Sequence, residues 1–393
     1  MQMTKSALVA KYHSNKTNKI PTTNQKLTQK LTKTGEKLKN QQNRNWQDRN
    51  WYEKNECASI FWLKVTLILV SIFHYPILRP ILKLCIAFVT GVYFVFSPNE
   101  RRNIVRFYEN VETFRTGKNP SKTPQNPLIQ ITQKWRKKWH KTYQVYSNFY
   151  EFGSAICDKI AAWLGKINHK DIEVRNIEAI KNELLTSKES KKGQILVVSH
   201  FGNIEVCRAL RNSIGEIPLV ILMYEKIAQD FIALLKNLSK DKESNTAQND
   251  ITNSGIMLVD DLDMDSLFRL KDLLENGVNI GIMGDRVAIS HSHKSKNAKF
   301  DFLGKSAYFP QGAFLLAGVL NAKISMLWCE KIKGKYTIEL EEISQTPVVF
   351  RREITKEAQI KELMQKYVDS LQKRAIANPK SWFNFYDFWG NQT

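Results

Sequence analysis

Acidic residues are scarce in this chain: 38 Asp and Glu stand against 59 Lys and Arg, a formal net charge of +21. A surplus that large calls for an anionic partner, and nucleic acid, an anionic bilayer and an acidic carrier protein all qualify. Cysteine is scarce as well. Cys57, Cys85, Cys157, Cys207 and Cys329 are widely spaced with no C-x-x-C pair, so neither a zinc ribbon nor a disulfide framework is indicated and reduced thiols are expected. The sequence also lacks a signal-peptide core followed by a small-residue cleavage site, which predicts that the main body stays on the cytoplasmic side. No uninterrupted apolar run reaches the roughly 20 residues that a spanning helix needs. There is no internal repeat.

What is present divides into three parts. Residues 1–56 are rich in Lys, Asn, Thr and Gln, with 12 Lys or Arg against 4 Asp or Glu; with so little apolar surface they are expected to form a disordered basic arm. Residues 57–118 turn apolar, with TLILVSIF and LCIAFVTGVYFVF interrupted by Lys64, Arg79, Lys83, Pro76 and Pro80. Either a membrane-associated helical region or a core helix pair fits that pattern. The basic flanks and abundant aromatics favour the membrane. Residues 119–393 follow as the third part. Within it, QKWRKKWHK alternates aromatic and basic residues, as a solvated helix face or a headgroup contact would.

From about Gln194 short apolar runs alternate with helical stretches. ILVVS (195–199) precedes IEVCRALRN, PLVILMY (218–224) precedes KIAQDFIALLKNL, GIMLV (255–259) precedes DMDSLFRLKDLLEN, and VNIGIM (278–283) follows. This alternation predicts an α/β fold, a mostly parallel central sheet flanked by helices. A hairpin is expected around Lys333-Gly334-Lys335 and a closing helix over 355–376.

The sharpest local feature is SHFGNIEVCRAL, starting at Ser199, where an apolar strand ends and a helix begins. Open α/β sheets place ligands at such ends. His200 with Glu205 five residues on is a layout for general-base chemistry: the carboxylate returns to one imidazole nitrogen and fixes the tautomer, so the other faces the substrate. Gly202 permits a tight turn, and the amides at the helix start are expected to favour an oxyanion. A structural histidine fits the spacing alone equally well. His291 and His293 form His-x-His in a polar, basic loop; no metal site is expected there, and no cofactor is implied.

HFGNIE resembles the His-x-x-x-x-Glu motif of the late lipid A acyltransferases, a branch of the lysophospholipid acyltransferase superfamily. In the same order, GDRV (284–287) resembles that family's second block and DFLGKSAYFPQGAFLLAGVL (301–320) its third. The closing SWFNFYDFW (381–389) resembles a subgroup of predicted acyltransferases. Together the resemblance covers roughly residues 58–390. It implies a glycerolphosphate acyltransferase-like fold with an N-terminal apolar helical anchor at the cytoplasmic face of the inner membrane. It further implies transfer of a fatty acyl group from a thioester, on acyl carrier protein or coenzyme A, to a hydroxyl of a lipid or glycolipid.

In this scheme His200 is the general base and Glu205 its orienting group. Gly202, Asn203, Asp285, Arg286, Gly304 and Lys305 match the substrate-binding positions, with Arg286 set to meet a phosphate. Gly304 fits a tight turn, Gly312 a helix entrance and Pro310 a place near the first helical turn, while Phe302, Phe309 and Phe314 read as core. An anionic membrane surface is the further partner expected, and nucleic acid is not. The competing expectation is a non-catalytic basic protein that keeps the fold and binds membranes or nucleic acid, using the aromatic C-terminus for stacking.

Overall fold

In a computed structural model, the described residues are 78–117, 127–167, 169–212, 215, 217–223, 256–258, 263–287 and 297–390. The expected basic arm, the first part of the apolar region (57–77), the KIAQDFIALLKNL stretch and the His291/His293 pair lie outside them. All described residues belong to one compact unit, residues 58–393.

A seven-stranded sheet carries the architecture. Its strands are β1 (Ile172–Val174), β2 (Ile195–Val198), β3 (Leu219–Met223), β4 (Ile256–Leu258), β5 (Asn279–Met283), β8 (Ile324–Ile332) and β9 (Lys335–Glu342), in spatial order β1-β9-β8-β2-β5-β3-β4. The core of the sheet is parallel: β2 pairs with both β5 and β8, and β3 with both β4 and β5. Among the described strands of this sheet, only β8 and β9 pair antiparallel, as the expected hairpin. Its turn places Lys333 and Gly334 at φ values of 49° and 87°, a left-handed pair that suits a two-residue loop.

β2 is the strand that matters most. Ile195, Leu196, Val197 and Val198 are all fully buried, which is why this run is continuously apolar rather than alternating: both faces of a central parallel strand are covered. In the sheet β5, β3 and β4 lie on one side of β2 and β8, β9 and β1 on the other, and the chain leaves β2 for β3 on the first side but leaves the adjacent β5 for β8 on the second. The carboxyl end of β2 is therefore a topological switch point, where a crevice opens between diverging connections.

Among the described residues six longer helices accompany the sheet: α1 (Arg79–Phe96), α2 (Pro98–Thr116), α3 (Pro127–Trp163), α4 (Met264–Glu275), α5 (Gly312–Leu320) and α6 (Lys356–Ala377). Their ends follow from local chemistry. Pro98 opens α2 and Gly117, at φ 59°, closes it. Asp263 accepts from the Ser266 amide and Thr355 from the Ala358 amide, capping α4 and α6. Ile104, Phe107, Tyr108 and Val111 of α2 enter the same hydrophobic core as β2, β5 and α6. The second half of the apolar region 57–118 is thus built into that core rather than standing apart from it.

The helical stretch IEVCRALRN is a 3-10 helix, Ile204–Asn212. FDFLGKSAYFP closes a hairpin of β6 (Asn297–Phe302) and β7 (Lys305–Pro310), and Pro310 ends its second strand directly before Gln311, the N-cap of α5. Leu303 and Gly304, both at positive φ, make the hairpin turn, and Gly312 begins α5. Phe302, Phe309 and Phe314 are fully buried, as core residues should be.

Candidate active site

Two parallel neighbours supply the central pair. The register that sets Val198 of β2 beside Met283 of β5, continued two residues past each strand, sets His200 beside Asp285. The side chains meet: His200 Nδ1 lies 2.9 Å from Asp285 Oδ1. An ionised carboxylate can only accept, so Nδ1 carries the hydrogen and Nε2 is the basic nitrogen of the neutral ring. The His200 side chain is 27% exposed and that of Asp285 only 2%. Solvent therefore reaches the imidazole and not the carboxylate beneath it.

The second oxygen of Asp285 is held as firmly as the first. Oδ2 accepts from the Ser199 hydroxyl at 2.9 Å, the His200 amide at 2.9 Å and the Trp382 indole at 3.2 Å. Burial acts to raise the Asp285 carboxyl. The charge and hydrogen bond of His200, the nearby Arg286 and the Ser199 hydrogen bond outweigh it and bring it down to about 2. Asp285 is thus ionised at neutral pH. Since its folded pKa is depressed, it contributes stability above its ordinary carboxylate range, and that contribution is lost as pH falls toward about 2. The stability advantage of the native protein over an Asp285→Asn variant should accordingly be full above about pH 4 and shrink on acidification, as denaturant midpoints measured across that range would show.

Glu205 occupies a different place from the one expected. The carboxylate on His200 Nδ1 is Asp285, whereas Glu205 is buried in the 3-10 helix with Lys159 Nζ 3.9 Å from its Oε1. The reason is geometric: the turn after β2 extends toward β8 before it coils. Gly202 pairs with Cys329 of β8 as an isolated bridge, and the Asn203 amide donates to the Cys329 carbonyl at 2.7 Å. Gly202 is required at that approach. It sits at φ 78°, and a Cβ on it would meet the Cys329 carbonyl oxygen at 2.0 Å. Gly202→Ala combines left-handed strain with a backbone clash, so a loss on the order of 3 kcal/mol or more is expected from chemical denaturation.

The four amides from His200 to Asn203, which precede the 3-10 helix, donate, in order, to Asp285 Oδ2, Ser199 Oγ, the Ser381 carbonyl and the Cys329 carbonyl. They shape the turn and are not directed at a ligand. The Asn203 side-chain amide donates to the Ala155 carbonyl at 2.8 Å.

The closing aromatic segment roofs the pair. The Phe383 amide donates to the His200 carbonyl at 2.9 Å, and the Tyr386 hydroxyl to the Asp285 carbonyl at 3.2 Å. Arg286 donates to the Phe383 carbonyl at 3.0 Å with its guanidinium over the Tyr386 ring. α2 fixes this roof from behind: Asn103 donates to the Phe385 carbonyl, and Arg106 pairs with Asp387. Burial raises the Tyr386 hydroxyl far above its ordinary range, so it remains a neutral donor. Gly304 and Lys305 belong elsewhere. Contacts around their turn run to Phe114 of α2 and Gln372 of α6 rather than to His200 or Asp285.

A small cleft opens on the β8 side of the turn, lined by Glu151, Ala155, Gly202, Asn203, Lys331, Tyr336, Ser381 and Phe383. Its charges are mutually satisfied: Lys331 and the Tyr336 hydroxyl both reach Asp158 at 2.7 Å, and Lys380 reaches Glu151 at 2.7 Å. Among the described residues no cluster of three or more His, Cys, Asp or Glu is set to hold a metal ion.

Reading the motif missed Ser199 and Trp382, and it assigned Asp285 to substrate instead of to His200. One signal for the pair was present. VVSH and IMGD each end an apolar strand, pass through one small residue and reach a polar one. Ser199 and Trp382 had no comparable signal, because their roles arise only when the C-terminus folds back. No protein-family model matches the chain, and a search of curated proteins finds no match.

Proposed function

We propose that this protein is an acyltransferase in which His200, oriented by Asp285, is the general base on an acceptor hydroxyl. The observation that carries the proposal is the buried, ionised Asp285 set on Nδ1 of a partly exposed imidazole at the switch point of the sheet. A histidine so held has a fixed tautomer and a basic nitrogen outward, as general-base catalysis needs.

The resemblance of HFGNIE, GDRV and FLGKSAYFPQGAF to the lipid A branch of the acyltransferases supports a thioester donor and a lipid or glycolipid acceptor. In the reaction, Nε2 takes the hydroxyl proton as the oxygen attacks the thioester carbonyl. The tetrahedral intermediate then expels the thiolate, which receives the proton from the imidazolium, leaving an ester and a free thiol. Asp285 stabilises the imidazolium between the two transfers. A glycerolphosphate acyltransferase-like fold at the cytoplasmic face of the inner membrane belongs to the same reading. Both acyl carrier protein and coenzyme A present the thioester on a phosphopantetheine arm, and the basic surface complements either one.

The test offers purified protein each acyl thioester together with total membrane lipid and measures thiol release and acylated lipid. Lipid-dependent release of thiol in step with a new ester is expected. Absence of both with every donor would refute the reading.

A further inference from the structure

Helix α1 has two apolar faces and only one of them is used. Leu82, Ile86 and Phe94 pack inward. Gly153 of α3 lets the helices come so near that a Cβ there would meet Thr90 Cγ2 at 2.5 Å, and Phe94 packs edge-on against Phe149 at 5.6 Å. The outward face, Ile81, Leu84, Phe88, Val92 and Val95, recurs at steps of three and four. It stands in the open: Leu84 is 71% exposed, Phe88 75% and the terminal Phe96 79%. A contiguous apolar stripe of this length on a protein surface marks an interaction site.

Charge identifies what it meets. No Asp or Glu occurs in Arg79–Phe96, Lys83 is exposed beside the stripe, and Arg101 and Arg102 follow just past its other end. An apolar stripe between cations, on a chain of formal net charge +21, complements an anionic lipid surface.

We propose that the outward face of α1 lies in the plane of an anionic bilayer, sunk among the headgroups and upper acyl chains, and does not cross it. Length alone does not decide this, since 18 residues at about 1.5 Å each nearly match a hydrocarbon core. The packing of α3 does decide it. α1 is fixed to α3 from Ile86 to Phe94, and α3 there carries Glu151, Asp158 and Lys159, tied to Lys380, Lys331 and Glu205 of the sheet and its loops. A crossing α1 would carry those ion pairs into hydrocarbon. Lying flat, it wets only its apolar face with lipid. The inference does not depend on acyl transfer.

The test uses the full chain with Cys57 and Cys85 replaced by alanine, an environment-sensitive fluorophore on Leu84→Cys, Phe88→Cys or Val92→Cys, and vesicles of phosphatidylcholine alone or equimolar with phosphatidylglycerol. All three labels should become apolar on the mixed vesicles and be quenched to the same shallow depth by lipid-bound nitroxides. Leu84→Glu and Phe88→Glu should each weaken vesicle binding about tenfold or more, with an unchanged circular dichroism spectrum. A depth gradient through the bilayer midplane would overturn the proposal, as would labels that stay aqueous on bound vesicles. So would unchanged affinity of the glutamate variants, or a concentration-dependent dimer that buries the labels without lipid.

Discussion

His200→Ala is expected to lower acyl transfer by roughly 10²–10⁴-fold, the range that a positioned general base contributes, with little change in KM for the thioester. The side chain is 27% exposed, and the turn that carries it is held through backbone groups: the His200 amide on Asp285 and the His200 carbonyl on the Phe383 amide. Alanine keeps both. Loss of activity with an unchanged denaturation midpoint would therefore separate a chemical role from a structural one. Equal loss of both would assign His200 to the core.

Asp285→Asn is the second large effect, about 10²–10⁴-fold in kcat. The amide matches the carboxylate in shape but offers a donor where Nδ1 needs an acceptor. Turning its NH2 toward Nδ1 moves the ring hydrogen to Nε2, the wrong nitrogen for a base. Turning its carbonyl there instead sets the NH2 against the Ser199, His200 and Trp382 donors, so one side of the network loses a partner either way. Glu205→Gln provides the contrast. Asp285 remains on Nδ1 in that variant, so kcat should fall far less than in Asp285→Asn. Steady-state kinetics of the two side by side would reverse the assignment if Glu205→Gln were the more damaging.

How much of this was legible beforehand follows from which forces are local. The parallel strands were readable because burial on both faces calls for short, largely apolar runs: ILVV of β2, buried throughout, shows this plainly, and NIGIM of β5 does so after its polar Asn279. The β8–β9 hairpin was readable from Lys333-Gly334, and α6 from its helical spacing. The position of His200 at a strand end was readable for the same reason. The identity of its carboxylate was not. Choosing between Glu205, five residues away, and Asp285, 85 residues away, requires knowing that β5 inserts beside β2, a nonlocal pairing that strand-helix alternation leaves open. The roof was hidden likewise: Trp382 reaches Asp285 across 97 residues. The hairpin of β6 and β7 was hidden as well, since its strands are recognised only by pairing across it, from Phe302 with Lys305 to Asn297 with Pro310.

Whether His200 moves the proton of an acceptor hydroxyl, with Asp285 making it able to do so, is tested most directly by thiol release from an acyl thioester, with ester formation followed in parallel, for the native protein and for His200→Ala on the same membrane lipid. The native protein should release thiol and form ester in equal amounts, and His200→Ala should do neither above background while remaining folded. Undiminished transfer by folded His200→Ala would contradict the account.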